Sequence, residues 1–478
     1  MPRSPITSLP PVAVLVSVLL AGGLGGCGRD AAALGPFPGA DLVVVSIDSL
    51  RADHVGAYGY ARETSPTIDG LAARGIRFED ALSTTSWTLP AHAALFTGLS
   101  DGVHGLVFDG LRLGEGHVTL ADTLRGAGYH TAGFYGGPYL HPTFGLDRGF
   151  DVWRSCMTRI PTDAEEPDVR AEARTGARTA HRDVTGPRTR DEVARWLEDL
   201  DERPFFLFLH LWDVHYDYIP PRRYVEMFDP GYESDLRFDF RSPDVHREMD
   251  PRDLAHFVAL YDGEIRFTDD ILGDILALLQ ARGRLDDAVV LVTADHGEEF
   301  FDHGDKGHRR TLYDEVLRVP LILRLPGGAG AGRVVPDQVG LVDVMPTLLA
   351  LLGVRPVQEA QGRDLTPLLR GGAVEATPLL AELHWPKFVL RAARTSRDKI
   401  IRDGRAFEAY FDLERDPAER FPLDDPEALQ AARGRLTEAT ARSAALRERL
   451  GVGAAVASAV DEDVRSRLEA LGYLEGPP

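Results

Sequence analysis

Cysteine is nearly absent from this chain: Cys27 and Cys156 are the only two among 478 residues. Two cysteines cannot build a disulfide framework or a Cys-based zinc site. Positive charge is also scarce. Fifty-three Lys and Arg stand against 74 Asp and Glu, a net charge of −21. Such a chain repels a phosphate backbone, which excludes nucleic acid as a general partner. Any anionic substrate must then be held by a local positive feature, such as a metal ion. Long apolar runs are missing too, and with 27% charged residues the chain is not a multi-span membrane protein. The apolar share is nevertheless 44%, ordinary for a folded protein and too high for a mainly disordered one. The length suits about three average domains, or one large α/β domain with a smaller companion.

The first residues read as an address. Arg3 precedes the apolar run Val12 to Leu20, and Leu24-Gly25-Gly26-Cys27 follows. The run is too short to cross a bilayer core of ~30 Å. A basic start, an apolar middle and small residues before a cleavage point are the anatomy of an export signal. Residues 24–27 also resemble a bacterial lipobox, in which the cysteine is lipidated. Plain secretion is the simpler reading. The lipobox reading expects a lipoprotein held to the membrane through Cys27, in the periplasm or at the cell surface. Cys156 lies in a polar context and is expected to be a bystander.

Beyond the address, short apolar runs alternate with helical patterns. Residues 41–47, 130–134, 204–210, 288–293 and 321–325 read as buried strands. Helices are expected from Ser65-Pro66-Thr67 to Ala72, from Thr119 to Gly128 and over Leu254 to Ala281. Thr189-Arg190-Asp191-Glu192 reads as a capping box that starts the helix carrying Val193 and Trp196. Arg154 to Pro187 is polar and reads as a surface loop. The alternation predicts an α/β fold, a large, mainly parallel sheet with helices on both faces. After Gly353 the elements shorten, over 379–383, 388–394, 399–402 and 408–413, which predicts a smaller α+β domain with an antiparallel sheet. A charged helix from Pro426 to Leu450 and another near Glu462 to Leu471 close the chain. The expected division is 1–27 (export signal), 40–355 (catalytic) and 356–478 (C-terminal).

Ligands in open α/β sheets collect at the carboxyl ends of strands. Asp48 ends one apolar run here, and Asp295-His296 end another. A carboxylate there is costly to bury without a cation or donor. One such Asp is most simply a turn residue; two, with an adjacent His, suit a divalent cation with room left for substrate. Thr88 opens a helical stretch after a polar turn, where the helix dipole favours anions. Taken alone, it is only a helix cap.

These residues resemble the sulfatase family of the alkaline-phosphatase superfamily. The resemblance is carried by residues 45–54 (VSIDSLRADH), 88–98 (TLPAHAALFTG), 206–221 (FLFLHLWDVHYDYIPP), 293–299 (TADHGEE), 312–320 (LYDEVLRVP) and 410–419 (YFDLERDPAE). It implies a metal-dependent hydrolase or transferase acting on sulfate or phosphate esters. It places Asp48, Asp295 and His296 on one divalent cation (Ca²⁺, Mg²⁺ or Mn²⁺), with Thr88 at the nucleophile position. His215 falls on a substrate-contacting His, and His308 or Arg309 near a substrate-contacting Lys. His210 reads equally as a strand-end His with a structural partner.

The departures bear on the chemistry. The family's sulfatases convert Cys or Ser at the nucleophile position to formylglycine, and a threonine would give a ketone instead, so no formylglycine is expected. His92 stands in place of the motif's Arg, either binding or protonating substrate or packing locally. Ser49 stands where many relatives carry a second metal-binding Asp. A phosphorylated threonine can be hydrolysed by attack at phosphorus. A sulfated one lacks the geminal hydroxyl that lets hydrated formylglycine expel sulfate. Thr88 therefore favours phosphate esters, with a formylglycine-free sulfatase as one alternative and a non-catalytic binding protein on the same fold as another.

Overall fold

The computed structural model describes residues 34–158, 183–238, 242–356, 359–451, 455–458, 460 and 462–471. Cys27 and the segment before it lie outside the described residues.

The strands of the main sheet are β1 (Leu42–Ile47), β2 (Ile76–Leu82), β3 (His130–Tyr135), β4 (Val152–Ser155), β5 (Phe205–Leu211), β6 (Val289–Ala294), β7 (Arg318–Arg324) and β8 (Arg333–Gly340). Their order is β8-β2-β7-β6-β1-β5-β3-β4. Only β7 runs antiparallel to its neighbours β2 and β6. The expected mixed, mainly parallel sheet is what forms. β1, β5 and β6 are buried along their whole length, and that is why they read as unbroken apolar runs. β2 and β8 escaped the sequence reading because alternate positions are polar and partly exposed, and Pro336 interrupts β8.

The main helices are α1 (Pro66–Ala73), α2 (Thr88–Thr97), α3 (Leu120–Gly126), α4 (Gly186–Glu198), α5 (Pro251–Ala281) and α6 (Pro426–Leu450). Thr119 closes a reciprocal capping box with Asp122 at the start of α3. α4 corrects the expectation at Thr189. It begins at Gly186, three residues earlier, and the Thr189 hydroxyl bonds back to the Thr185 carbonyl inside the helix. The cap comes from a distant strand end: the Asp213 carboxylate accepts from the backbone N–H groups of Thr185 and Gly186, each at 2.6 Å. A second correction concerns the polar loop. Its first residues extend strand β4 to Ser155, while 159–182 lie outside the described residues. Cys156 is buried, with Arg188 donating to its carbonyl, and burial pushes its thiol up to about 11.

A second, antiparallel sheet follows: β9 (Leu379–Trp385), β10 (Phe388–Arg394), β11 (Asp398–Arg402) and β12 (Glu408–Asp412), paired in that order. The hydrophobic core runs on from the main sheet into Leu383, Ile401 and Phe411. An ion network adds to the join. Lys399 holds Asp314 and Glu419 at 2.8 Å each, and Arg394 holds Asp314 and Asp80.

Aromatic packing supports the sheet beneath the strand ends. Phe208 of β5 meets Phe96 of α2 with ring centroids 4.8 Å apart and stacks on Trp153 of β4 at 5.9 Å. Phe208→Ala would leave a cavity between three elements. Its expected cost is about 3–5 kcal/mol of unfolding free energy, read from the midpoint of a denaturant titration.

Candidate active site

Parallel register sets the site. Ile47 pairs with Ala294 on one side and Leu211 on the other, so β1, β6 and β5 end level. The next residues along β1 and β6 are Asp48 and Asp295, and their carboxylates therefore emerge side by side. Both are almost fully buried, as are His296 and Thr88.

The loop after β1 is tightly held. Ser49 takes a left-handed conformation with φ of 56°. Its hydroxyl donates to Asp48 Oδ1 at 2.8 Å and its N–H to Asp295 Oδ1 at 3.2 Å. Where many relatives have a further acid, this chain has a donor, so the centre keeps two carboxylates, a charge that matches one dication. The Tyr261 hydroxyl, from α5, donates to the Ser49 carbonyl and accepts from Arg51 N–H. Arg51 then ties the two loops together, reaching Asp53, Asp302 and the Glu298 carbonyl at 2.8–3.0 Å. Sequence reasoning missed Arg51 and Tyr261. The only signal was an arginine inside an otherwise buried loop.

Thr88 is the first residue of α2. Its hydroxyl lies 3.4 Å from Asp48 Oδ2 and 3.4 Å from His296 Nε2. The His296 Nδ1–H donates to the Gly297 carbonyl at 2.8 Å, which leaves Nε2 as a lone pair aimed inward. That lone pair faces Asp295 Oδ2 at 3.5 Å. Asp295 Oδ2 has no hydrogen-bond partner among the described residues. Burial pushes the Asp48 carboxyl up to about 6, against the opposing pull of His296. Asp295 Oδ2 and His296 Nε2 thus face each other as two acceptors with no hydrogen bond between them. A divalent cation is the group that satisfies this arrangement, and Asp48, Asp295 and His296 can all ligate it.

Of the two roles open to His92, its contacts are those of local packing rather than of reaching substrate. Nδ1–H donates to the Thr88 carbonyl at 2.8 Å, and Nε2 accepts from the Ser46 hydroxyl at 3.0 Å. Both nitrogens are committed, the ring is fully buried, and burial holds its pKa down to about 3. The ring ties the first turn of α2 to β1.

His215 and His308 come together beside the centre. Their rings are 5.1 Å apart, and His308 lies 4.4 Å from the His296 ring. His215 stacks on Trp212 at 3.8 Å. Glu298 orients His308 through Nδ1 at 3.0 Å and accepts from the Tyr218 hydroxyl at 2.8 Å. Burial lowers the pKa of His308 well below the usual histidine value. Arg309 is placed differently. Its guanidinium binds Asp109 and the Tyr139 hydroxyl and lies 4.0 Å from the centroid of Trp87, the residue before Thr88. On another side it faces Trp385 of β9 at 5.8 Å.

Comparison with known proteins agrees with this architecture. The sulfatase family model matches residues 40–354, and a model of the N-sulphoglucosamine sulphohydrolase C-terminal region matches 299–444. A curated ulvan-active sulfatase of Formosa agariphila is 23% identical over 402 residues, covering 79% of this chain and 75% of its own. A multifunctional alkaline phosphatase superfamily protein of Trinickia caryophylli is 26% identical over 418 residues, covering 72% of this chain and 79% of its own. Among solved structures, the phosphonate monoester hydrolase of Agrobacterium radiobacter superposes with a TM-score of 0.68 at 23% identity, covering 86% of this chain and 96% of that one. The chain therefore belongs to the sulfatase family, within the alkaline-phosphatase superfamily of ester hydrolases.

Proposed function

We propose that this chain is an exported, cation-dependent hydrolase or transferase of phosphate or phosphonate esters, with Thr88 as its unmodified nucleophile. One observation carries the reading: the Thr88 hydroxyl stands 3.4 Å from both Asp48 and His296, beside the carboxylates that call for a cation. Asp48, Asp295, His296 and Thr88 would hold that ion. When bound, the ion supplies charge that lowers the pKa of a coordinated oxygen acid, as for water, from about 15.7 to ~7 in the best zinc sites.

The steps on the chain's own residues follow. The Thr88 hydroxyl loses its proton and its oxygen attacks phosphorus in line. The new O–P bond forms as the bond to the leaving oxygen breaks, and the proton given up by Thr88 passes through solvent to that oxygen. Water or an acceptor alcohol then attacks the phosphothreonine and frees Thr88. His92 keeps the first turn of α2, and with it the nucleophile, in place. His215 and His308 wall the substrate side and are set to meet its oxygens. Cys27 would carry the lipid that holds the enzyme to a membrane after export.

A second reading is a sulfatase that works without formylglycine. The names of the sulfatase relatives favour it; the methylated carbon of Thr88 weighs against it.

Thr88→Ala should lose at least about a thousandfold in kcat, the scale of removing an activated nucleophile, while isothermal titration still detects cation binding. Unchanged turnover would refute Thr88 as nucleophile. Mass spectrometry after rapid quench with a phosphate diester, a phosphonate monoester and an aryl sulfate should find a phosphoryl or phosphonyl adduct on Thr88. Fast release of sulfate, with no phosphorus adduct, would favour the second reading. Cys27→Ala should move the protein from the membrane pellet to the soluble fraction of the exporting cell.

A further inference from the structure

The turn that leads into Thr88 hangs from the C-terminal sheet. The Glu382 N–H, on β9, donates to the Thr84 carbonyl at 2.9 Å, and the Thr84 hydroxyl donates to Asp101 Oδ1 at 2.9 Å. Asp101 opens the short helix Asp101–His104 that follows α2. Asp101 and Glu382 thus grip Thr84 from two sides, at the join between the main sheet and the second one. They are 1% and 2% exposed, and neither has a part in the steps above.

Each acid has one oxygen satisfied and one left over. Asp101 Oδ1 takes the Thr84 hydroxyl, and Glu382 Oε1 takes the Arg391 Nε–H at 2.8 Å. Asp101 Oδ2 and Glu382 Oε2 have no hydrogen-bond partner among the described residues. Glu382 Oε2 lies against the residue after Asp101: a Cβ on Gly102 would stand 2.7 Å from it. Two carboxylates buried together cannot both ionise cheaply, and a single proton turns one acceptor into a donor. Arg391 supports charge on Glu382, which leaves the proton to Asp101. Burial, and then the charge of Glu382, push the Asp101 carboxyl up to about 8, against weaker pulls from His384 and the Thr84 and Thr85 hydroxyls.

The other charged neighbours do not neutralise the pair. His104 Nε2 stands 3.6 Å from Asp101 Oδ1, and His104 Nδ1 accepts from the Leu106 N–H. Burial holds the pKa of that ring down to about 3. His384 Nε2 stands 3.9 Å from Glu382 Oε1, and burial lowers its pKa too. Arg447 of α6 reaches the Gly102 carbonyl, at 3.5 Å, rather than either acid.

We propose that Asp101 is a neutral carboxylic acid that shares its proton with Glu382, and that it is a positioning residue for the turn carrying Thr88. Losing the proton sets two charges against each other at the join, and the contacts under strain are the two that fix Thr84. The kinetic consequence rests on Thr88 as nucleophile; the shared proton does not.

The test uses the full chain and Asp101→Asn, whose amide keeps an acceptor for Thr84 and a permanent N–H for Glu382. Difference infrared spectra at neutral pH should show the carbonyl stretch of a protonated carboxylic acid in wild type that Asp101→Asn lacks. The folded value of about 8 exceeds the ordinary 3.8, so wild-type stability should fall between those two pH values and level off above, while Asp101→Asn lacks that slope and gains on wild type across the window. Wild-type kcat should fall severalfold above a pH of about 8, and Asp101→Asn should flatten that limb while leaving KM in place. Glu382→Gln, which removes the opposing charge, should shift loss of the infrared band to lower pH. A band unchanged in both variants would overturn the shared proton, as would a second tightly bound cation per chain that Asp101→Asn abolishes. Loss of the band in Asp101→Asn with an unaltered alkaline limb would overturn the positioning role. If Thr88 proves not to be the nucleophile, the infrared and stability results still decide the state of Asp101.

Discussion

Two carboxylates brought level at the ends of adjacent parallel strands repel each other, and burial strips away the water that would weaken that repulsion. Asp48 and Asp295 sit under this constraint because β1 and β6 pair in register up to Ile47 and Ala294. Much of the surrounding structure works to hold them there. Ser49 donates to both acids, Tyr261 pins the Ser49 turn, and Arg51 bridges the two loops without touching either carboxylate. The positive charge of Arg51 is matched by Asp53 and Asp302. Among the described residues, neither central acid is paired with a Lys or Arg.

The parts of this site that were legible in sequence are those whose signal is local. An acid directly after an apolar strand marks Asp48 and Asp295 because burial on both faces makes the strand uniformly apolar. Pro90 and the apolar run behind it mark the start of α2. What was not legible depends on partners far along the chain. For His92 the sequence left substrate contact and local packing both open, because Ser46, the partner of its second nitrogen, lies 46 positions earlier. The role of Asp213, which caps α4 from a strand end, could not be read from its neighbours in sequence. The start of α4 was misplaced for the same reason, since its cap comes from another element. The edge-side strands β2 and β8 were hidden because partial exposure allows polar residues at alternate positions.

Under the proposed function, Thr88 takes the nucleophile position. Formylglycine needs a Cys or Ser precursor, and Thr88 is neither. The fold around it is nonetheless built as a hydroxyl would need it. The residue opens a helix, its backbone carbonyl is held by His92, and its side chain points at the acids rather than away from them. On the proposed reading, a change in one side chain alters which esters suit the site without requiring a different scaffold.

Arg309 has a consequence for how the two sheets relate. It is gripped by Asp109, and its guanidinium faces Trp87, next to the nucleophile, and Trp385 at the end of β9. The C-terminal sheet thereby reaches, through Trp385 and Arg309, the residue next to Thr88. The two sheets are not interchangeable modules: grafting in a foreign C-terminal sheet would remodel the entrance, even with every residue of the catalytic centre left in place.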